Sequence, residues 1–539
     1  MRKLVECVPN FSEGRDRAVI DAIAEAIRAS TGCTLLDVDP GASTNRTVYT
    51  FVGSPDKVVA GAIAAAHAAR GRIDMRRQAG EHPRVGAMDV CPFVPVSGVT
   101  MAECVALANA FGERLAAELG VPVYLYGHAA RADHRRTLQQ IRAGEYEALA
   151  ERLTLPEWKP DYGPVVFVPE WGATCAGARD FLIAYTVNVL GTKEQAHRIA
   201  LDVREAGRGP GEPGRLKAVR AIGWWVEEYG LAQVSINLED YHATPPHVAF
   251  EACVGEARTL GIAVAGSELV GLIPRDALLL AAEHYIAQEG LFIVDERQKV
   301  RLAVERLGLS SIAPFVPERR VIEYLIPKAE EEPLAALSVR SFVELLGSRT
   351  PAPGGGSASA LLAAIGAALG AMVGWMTYGK RKFEAQDPVM RRLIPPLDEA
   401  MKALLPMIDR DTRAFDAYLA AVGMPKGSDE QKASRQRALQ EGLRAAVQVP
   451  LEVMRLGDRC WDALVELAEH GNPASRSDLE VGARALEAGI WGASRNVVTN
   501  LSGIEDAALR SATQGEAEAV AARAAAQCAR VLQVLAGRT

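Results

Sequence analysis

From Thr350 to Lys380 the chain reads TPAPGGGSASALLAAIGAALGAMVGWMTYGK, with no charged side chain before the closing lysine. The apolar part, about 20 residues, is long enough to span a bilayer. A run of this kind has two stable fates, a membrane span or a helix enclosed by other helices. Alanine and glycine drive insertion weakly compared with leucine, isoleucine or valine. A single span would also strand two flanking regions that both read as water-soluble on opposite sides of the membrane. The expectation is therefore a central helix of a soluble bundle, with no membrane span. Gly366, Gly370 and Gly374 recur every four residues and share one face, which lets another helix, or a second subunit, approach closely. Ahead of them Gly354, Gly355, Gly356 and Ser357 do not make a Walker loop, because no Gly-Lys-Ser/Thr follows. They leave backbone N–H groups open at a helix N-terminus, which suits an anion or a polar heterocycle as well as it suits a plain helix start.

At 539 residues the chain has room for roughly three or four domains. With 49% hydrophobic and 24% charged residues it can bury a large core. A net charge of −7 and a pI near 5.9 give no electrostatic basis for binding nucleic acid or an acidic membrane. The eight cysteines are scattered without a CxxC pair, so metal fingers and redox motifs are not expected and a reducing compartment fits. The start, MRKLVECVPNFSEGRD, turns charged before an apolar export signal forms, and a cytoplasmic location is expected.

Up to about residue 325 strand-like and helix-like segments alternate. KLVECVPNF, CTLLDVD, RTVYTFVG, VGAMDVCPFVPV and VPVYLYG read as strands. RAVIDAIAEAIRAS and SPDKVVAGAIAAAHAA read as helices, and Thr100 with Glu103 forms a capping box ahead of CVALANAFGERLAAELG. A second round begins near DFLIAYTVNVLG. Within it KEQAHRIALDVREAG, GRLKAVRAIGWWVEEYG and HVAFEACVGEARTLG read as helices, with AQVSINLED and IAVAGSELVGLIP as strands. The expected architecture is an α/β N-terminal half of two α/β sandwich subdomains, residues 1–178 and 179–326, with a cleft near their junction at Tyr162 to Arg179. A charged, proline-bracketed stretch, PKAEEEP, marks a linker at 327–336. Beyond it alanine rises and long helical patterns follow, so residues 337–539 should form an all-α domain.

Nine histidines include no HExxH and no spaced Cys/His set, so no metal site is expected. His82 lies in GEHPRVGAMDV, on a loop feeding a strand, where acid–base residues are often found; on the residues alone an ordinary loop histidine is the better reading. VPNFSEGRD and DVDPGASTNRTVYTFVG bring Asn10, Ser12, Glu13, Arg15, Asp37, Asp39, Asn45 and Arg46 into turns that can hold a small carboxylate-bearing ligand, the alternative being surface turns. In KALLPMIDRDTRAFDAYLAA helical spacing aligns Leu404, Met407, Asp411, Phe415 and Tyr418, while Asp409 faces nearly the opposite way. A carboxyl on an apolar stripe is desolvated and can serve as a proton donor, unless a neighbouring arginine pairs it.

Taken together, VECVPNFSEGRD, GEHPRVGAMDVCPFVPV, DYGPVVFVPEWGATCAGARDFLIAYTVNVLGTKEQAHRIA and GSELVGLIP resemble glutamate formimidoyltransferases. SFVELLGSRTPAPGGGSASA, DRDTRAFDAYLAAVGMPKGS and GNPASRSDLEVGARALEAG resemble formimidoyltetrahydrofolate cyclodeaminases. In this order, and nearly end to end, the chain is similar to the bifunctional formimidoyltransferase-cyclodeaminases of histidine degradation. The resemblance implies transfer of a formimidoyl group from N-formimidoyl-L-glutamate to the co-substrate tetrahydrofolate, then cyclisation to 5,10-methenyltetrahydrofolate with loss of ammonia. It places the transferase histidine on His82 and the cyclodeaminase aspartate on Asp411. It puts folate binding on Gly163, Pro164, Val165, Val166, Phe167, Val168, Pro169, Glu170, Trp171 and Gly172. Lys380 and Arg381, in GKRK, are a plausible clamp for the folate tail, against a solvated charge run. The resemblance further implies a homo-oligomer with paired cyclodeaminase domains and no metal. AYTVNV puts Thr186 where the family pattern has an asparagine. Two alternatives stay open for the helical domain: a methenyltetrahydrofolate cyclohydrolase, or a non-catalytic assembly scaffold.

Overall fold

The computed structural model describes residues 3–42, 44–80, 82–209, 211–227, 229–326 and 332–538. Residues 327–331 of the expected linker, and Glu81 beside His82, lie outside them. The chain divides into two compact units, Met1–Ile326 and Pro327–Thr539; the first is α/β and the second all-α.

The first unit opens with a seven-stranded sheet. Its strands are β1 (Leu4–Cys7), β2 (Asn10–Phe11), β3 (Cys33–Gly41), β4 (Arg46–Gly53), β5 (Met88–Ser97), β6 (Val123–Gly127) and β7 (Thr174–Ala178). β1 and β2 follow one another between β4 and β5, each antiparallel to both. β3 lies outside β4, while β7 and then β6 extend the sheet in parallel from β5. Three helices share the main core with this sheet: α1 (Arg17–Arg28), α2 (Pro55–Ala69) and α3 (Met101–Leu119). α1 starts where the Asp16 carboxylate accepts the N–H groups of Ala18 and Val19, and it buries Val19, Ile20, Ile23, Ala24 and Ile27 at helical spacing. α3 carries the expected capping box of Thr100 and Glu103. A smaller core of Val85, Val90, Tyr124, Tyr126, Ile141 and Leu149 holds the short helices α4 (Leu138–Ile141) and α5 (Leu149–Arg152).

The second half of this unit is a four-stranded antiparallel sheet of β8 (Ile183–Leu190), β9 (Val219–Val226), β10 (Leu231–Leu238) and β11 (Ala263–Val270), in the order β11-β8-β10-β9. Helices α6 (Lys193–Val203), α7 (Pro246–Thr259), α8 (Arg275–Glu289) and α9 (Glu296–Leu307) build its core with Tyr185, Val187, Val234 and Ile236. One reading is overturned here: GRLKAVRAIGWWVEEYG is not a helix but contains strand β9, paired along its whole length with β10. Val219, Ala221 and Gly223 are buried while Arg220, Ile222 and Trp224 are exposed, which is the period of a strand. A Cβ at Gly223 would stand 2.0 Å from the backbone nitrogen of His197, so glycine is what lets α6 lie against this strand.

The second unit is a bundle built around Gly355–Trp375, the one helix among the described residues long and apolar enough to cross a membrane. Gly356, Gly366, Gly370 and Gly374 of this helix are buried. Gly366 abuts Leu486 and Gly482 of the helix Arg476–Leu501, Gly370 abuts Leu464 and Leu397, and Gly374 abuts Ile394. At Gly366 the neighbour is backbone, which excludes a larger side chain; at Gly370 and Gly374 it is the leucine and isoleucine side chains that fill the space.

Candidate active sites

In the α/β unit a cavity of about 1060 Å³ opens beside His82 and is lined from both sheets. Tyr126, Arg136, Arg142 and Glu145 come from one side, Arg179, Leu182, Arg220 and Asn237 from the other. Of the stretch Tyr162 to Arg179, where a cleft was expected, only Arg179 lines this cavity; its volume suits a substrate of drug size or larger. His82 is half-buried, and its Nδ1–H donates to the carbonyl of Pro83 at 2.7 Å. That bond fixes the tautomer and leaves Nε2 as the ring's proton acceptor. Burial, followed by the nearby Arg46 and Arg142 cations, holds the imidazole below its usual pKa, so at neutral pH it is an uncharged base.

The loops around it are tied to one another. Arg46, at the start of β4, donates through Nε to Asn10 Oδ1 at 3.0 Å. Asn45 accepts from the Gly14 amide at 3.1 Å and pairs with Gln78, whose Nε2 donates to Glu13 at 2.9 Å. Asn45 and Glu145, with φ of +46° and +57°, hold the left-handed backbone that non-glycine residues avoid. Both stand in loops of this site, where such strain is concentrated. Ser12 is buried and its hydroxyl donates to the Gly86 carbonyl at 2.8 Å, so it braces the loop from within.

Gly163 to Gly172 runs behind this loop, and none of the ten is among the residues lining the cavity. Gly172 bridges to Gly86, and the Ala87 amide donates to Trp171 O at 2.7 Å. Trp171 is buried with its indole N–H donating to Thr174 Oγ1 at 2.9 Å. Phe167 packs on Tyr146, whereas Val165 and Val166 are exposed. Gly163 and Gly172 adopt φ of +87° and +76°, and a Cβ at either would meet a carbonyl oxygen at 2.2 or 2.1 Å.

Sequence reasoning passed over Asp89, Arg142, Tyr126, Arg179 and Arg220. Asp89 carried a signal: a carboxylate inside the apolar strand VGAMDVCPFVPV has to be buried, and buried carboxylates need partners. Tyr126 lies on an expected strand whose pattern gives no sign of facing a site; Arg142 and Arg179 lie on irregular segments and Arg220 on a strand read as helix, where periodicity says nothing.

In the helical unit Asp411, on the helix Met407–Val422, lies against the N-terminus of Gly355–Trp375. Gly354 precedes that helix without any side-chain cap. The buried Ser357 donates its hydroxyl to Ile408 O at 2.8 Å and approaches Asp411 Oδ2 at 3.3 Å. A Cβ on Gly356 would overlap the Asp411 carboxylate. Burial raises the Asp411 pKa above the usual carboxylate range, opposed by the hydroxyl and amide of Ser357. Asp409, on the other side of the same helix, is buried and accepts the amides of Leu334 and Ala335 at 2.8 and 3.0 Å. Lys380 and Arg381 are exposed beyond the far end of Gly355–Trp375. A helix of this length sets them about 30 Å from Asp411, so one subunit does not bring them to it.

Comparison with known proteins gives the same division. The family described as "Formiminotransferase domain, N-terminal subdomain" matches residues 4–179, "Formiminotransferase domain" matches 184–327, and "Formiminotransferase-cyclodeaminase" matches 338–519. A formimidoyltransferase-cyclodeaminase of Dictyostelium discoideum is 58% identical over 540 residues, covering 100% of both chains. A glutamate formimidoyltransferase of Streptococcus pyogenes is 41% identical over 290 residues, 54% of this chain and 95% of its own. A methenyltetrahydrofolate cyclohydrolase of Methylorubrum extorquens is 35% identical over 198 residues, 37% of this chain and 95% of its own. With its cavity built around a neutral histidine and its helical unit around a desolvated aspartate, the chain belongs to the formimidoyltransferase-cyclodeaminase family.

Proposed function

We propose that this bifunctional, folate-dependent enzyme divides its two reactions between its two units, with His82 as the acid–base group of the first and Asp411 as the proton donor of the second. The α/β unit transfers the formimidoyl group from N-formimidoyl-L-glutamate to N5 of tetrahydrofolate, releasing L-glutamate. Attack by N5 on the amidine carbon sheds the N5 proton, and expulsion of the amino acid's nitrogen requires one. Nε2 of His82, with its lone pair free, takes the first and returns the second. In the helical unit N10 attacks the same carbon and ammonia leaves, giving 5,10-methenyltetrahydrofolate. Ammonia leaves only when protonated, and an Asp411 whose proton is retained by burial supplies that proton. The fixed tautomer of His82 inside the large cavity carries the transferase half of this reading; the open-backed, carboxylate-capped helix N-terminus supports the other.

We also propose that the helical units pair. Leu362, Ile365 and Trp375 are 38%, 40% and 40% exposed along one stripe of a helix otherwise buried in glycine and alanine, and Trp491 of the neighbouring helix is 61% exposed. A second copy of the same face is the occupant such an apolar stripe fits. Antiparallel pairing would bring the cations beyond one helix's C-terminus to the Asp411 end of the other, which is how Lys380 and Arg381 would reach the folate.

The test supplies N-formimidoyl-L-glutamate and tetrahydrofolate, following ammonia and methenyltetrahydrofolate together. Wild type should make both, His82→Asn neither, and Asp411→Asn should stop at 5-formimidoyltetrahydrofolate. The similarity to a cyclohydrolase favours a second reading for the helical unit, hydrolysis of methenyltetrahydrofolate. Failure to release ammonia from supplied 5-formimidoyltetrahydrofolate would select it.

A further inference from the structure

Beneath His82 lies an ion cluster that the transfer chemistry, as described, does not use. Asp89 is fully buried on β5. One of its oxygens accepts the Val85 amide at 2.8 Å. The other receives both Arg46 Nη1 and Arg142 Nη2, each at 2.5 Å. Burial alone would raise the Asp89 pKa, but the two guanidinium groups hold it below the usual range, so it is a carboxylate. Guanidinium does not give up its proton inside a protein. One anion between two cations therefore leaves a surplus positive charge in a buried site, an arrangement that is costly unless an anion arrives.

Nearby carboxylates are already engaged. Glu145 and Glu147 hold Arg84 at 2.8 and 2.7 Å, and Glu239 holds Arg220 at 2.8 Å. Arg46 is tethered to Asn10 and turned into the protein. Arg142 and Arg84 both line the cavity and both have a buried Nε without a hydrogen-bond partner, but Arg84 has two carboxylates to itself whereas Arg142 shares one carboxylate with Arg46. Arg142 is the cation placed to meet a ligand.

We infer that Asp89 is a positioning residue of the transferase site, holding Arg46 and Arg142 side by side beneath His82 so that Arg142 receives a carboxylate of the formimidoyl amino acid. This rests on the transferase reading above and adds to it a recognition element for the donor substrate. Donor and folate both carry carboxylates, so the chemistry Arg142 recognises is shared. The shared cavity favours the donor, because Arg142 lines it with His82 and its charge acts on that histidine, and the folate tail is the part of that molecule farthest from N5.

The same cluster sets the charge around His82. Arg46, Asp89 and Arg142 face it from β4, β5 and the residue closing α4; Arg84, with Glu145 and Glu147, faces it from the loops; Tyr126 comes from β6. Arg46 and Arg142 lower its proton affinity and Asp89 opposes them. Removing the anion and removing a cation must then act in opposite directions.

The experiment measures transfer rates against pH on the full chain, varying donor and tetrahydrofolate separately, for wild type, Asp89→Asn and Arg142→Gln. Thermal melts report the folding of each variant, and ammonia release from supplied 5-formimidoyltetrahydrofolate reports the helical unit. In Asp89→Asn the acidic limb of kcat/KM should move down by about half a pH unit or more, and in Arg142→Gln it should move up. Both should raise the donor KM at least roughly tenfold and leave the tetrahydrofolate KM within about twofold. Opposite pH movements cannot come from general loosening of the fold. Folded variants with the wild-type limb and wild-type donor KM overturn the inference. A rise confined to the tetrahydrofolate KM moves the carboxylate to the folate tail and overturns the donor assignment. If Asp89→Asn does not melt cooperatively, Arg142→Gln decides alone, and an unchanged donor KM overturns the inference. A wild type that transfers nothing defeats the transferase reading itself, whereas a wild type that transfers and variants that match it defeat only this addition.

Discussion

Replacing Gly356 by alanine is the smallest perturbation that separates fold from chemistry in the helical unit. The added Cβ would stand 2.1 Å from Asp411 Oδ1 and 2.4 Å from both Cγ and Oδ2. Non-bonded carbon and oxygen settle at about 3.5 Å, so the carboxylate has to retreat by more than ~1 Å. What the methyl meets is the tip of a side chain with two free torsions, and Asp411 can rotate away while the backbone stays in place. Overpacking then costs about 1 to 3 kcal/mol, offset by the ~0.5 to 1 kcal/mol that alanine gains over glycine in a helix. The net loss of stability is at most about 2.5 kcal/mol. Catalysis suffers more, because displacing a reacting group by ~1 Å costs on the order of 100-fold in rate, equivalent to ~2.7 kcal/mol of barrier. Ammonia release from supplied 5-formimidoyltetrahydrofolate should fall about 100-fold, the thermal midpoint should drop by only a few degrees, and formimidoyl transfer should keep its wild-type rate. A folded Gly356→Ala protein with full ammonia release would refute the placement of the reacting carboxylate at this helix N-terminus.

The same substitution at Gly366 should behave differently, because there the Cβ meets backbone: Leu486 N at 2.7 Å and Gly482 O at 2.8 Å. Two helices have to separate, and a loss of about 3 kcal/mol is expected in denaturant titrations; an unchanged midpoint would contradict the close packing. Asp409→Ala removes the acceptor for two backbone amides and should cost about 1 to 3 kcal/mol without lowering ammonia release per folded molecule, in contrast to Asp411→Asn. His247 is buried on α7, stacked on His284 with ring centroids 4.4 Å apart, and its Nδ1 has no hydrogen-bond partner. Burial first, then His284, pulls its pKa down to about 4. Since the unfolded chain binds that proton near pH 6.5, the stability it confers is complete above about 6.5 and is lost as pH falls toward 4. Urea titrations at about pH 7.5 and 5 should show this slope in wild type and a flatter one in His247→Phe; equal slopes would remove His247 as the source.

Much of this was readable because hydrophobic period and capping chemistry are local. The Thr100–Glu103 box and the Gly366, Gly370 and Gly374 face follow from spacing alone. The Asp411 stripe does not hold as read: Leu404 ends the preceding helix, and on Met407–Val422 it is Asp409 that is fully buried while Asp411, Phe415 and Tyr418 are half-buried. β9 was misread because Trp224, Trp225 and Val226 make a continuous apolar run in which helix and strand periods coincide, and its short alternation lies just ahead of that run. Pairing with β10 decided the matter, and pairing is a long-range property. The family motifs marked His82 and Asp411, yet nothing in them says that the cavity floor is an ion cluster. Arg46, Asp89 and Arg142 are drawn from three separate elements, and only the folded sheet brings them within a bond of one another.

The helix Gly355–Trp375 starts without a capping side chain of its own, and its open N-terminus leans on a carboxylate from a different helix. A helix N-terminus attracts an anion more strongly than a neutral acid. With Asp411 as the proton donor, the group would therefore hold the bundle less firmly when charged with its proton and more firmly once it has given the proton to the departing ammonia. The order of the bundle's central helix would rise and fall with each turnover, and reprotonation from solvent would reset both. In such an arrangement local rigidity is itself a readout of the catalytic cycle, carried by a single proton.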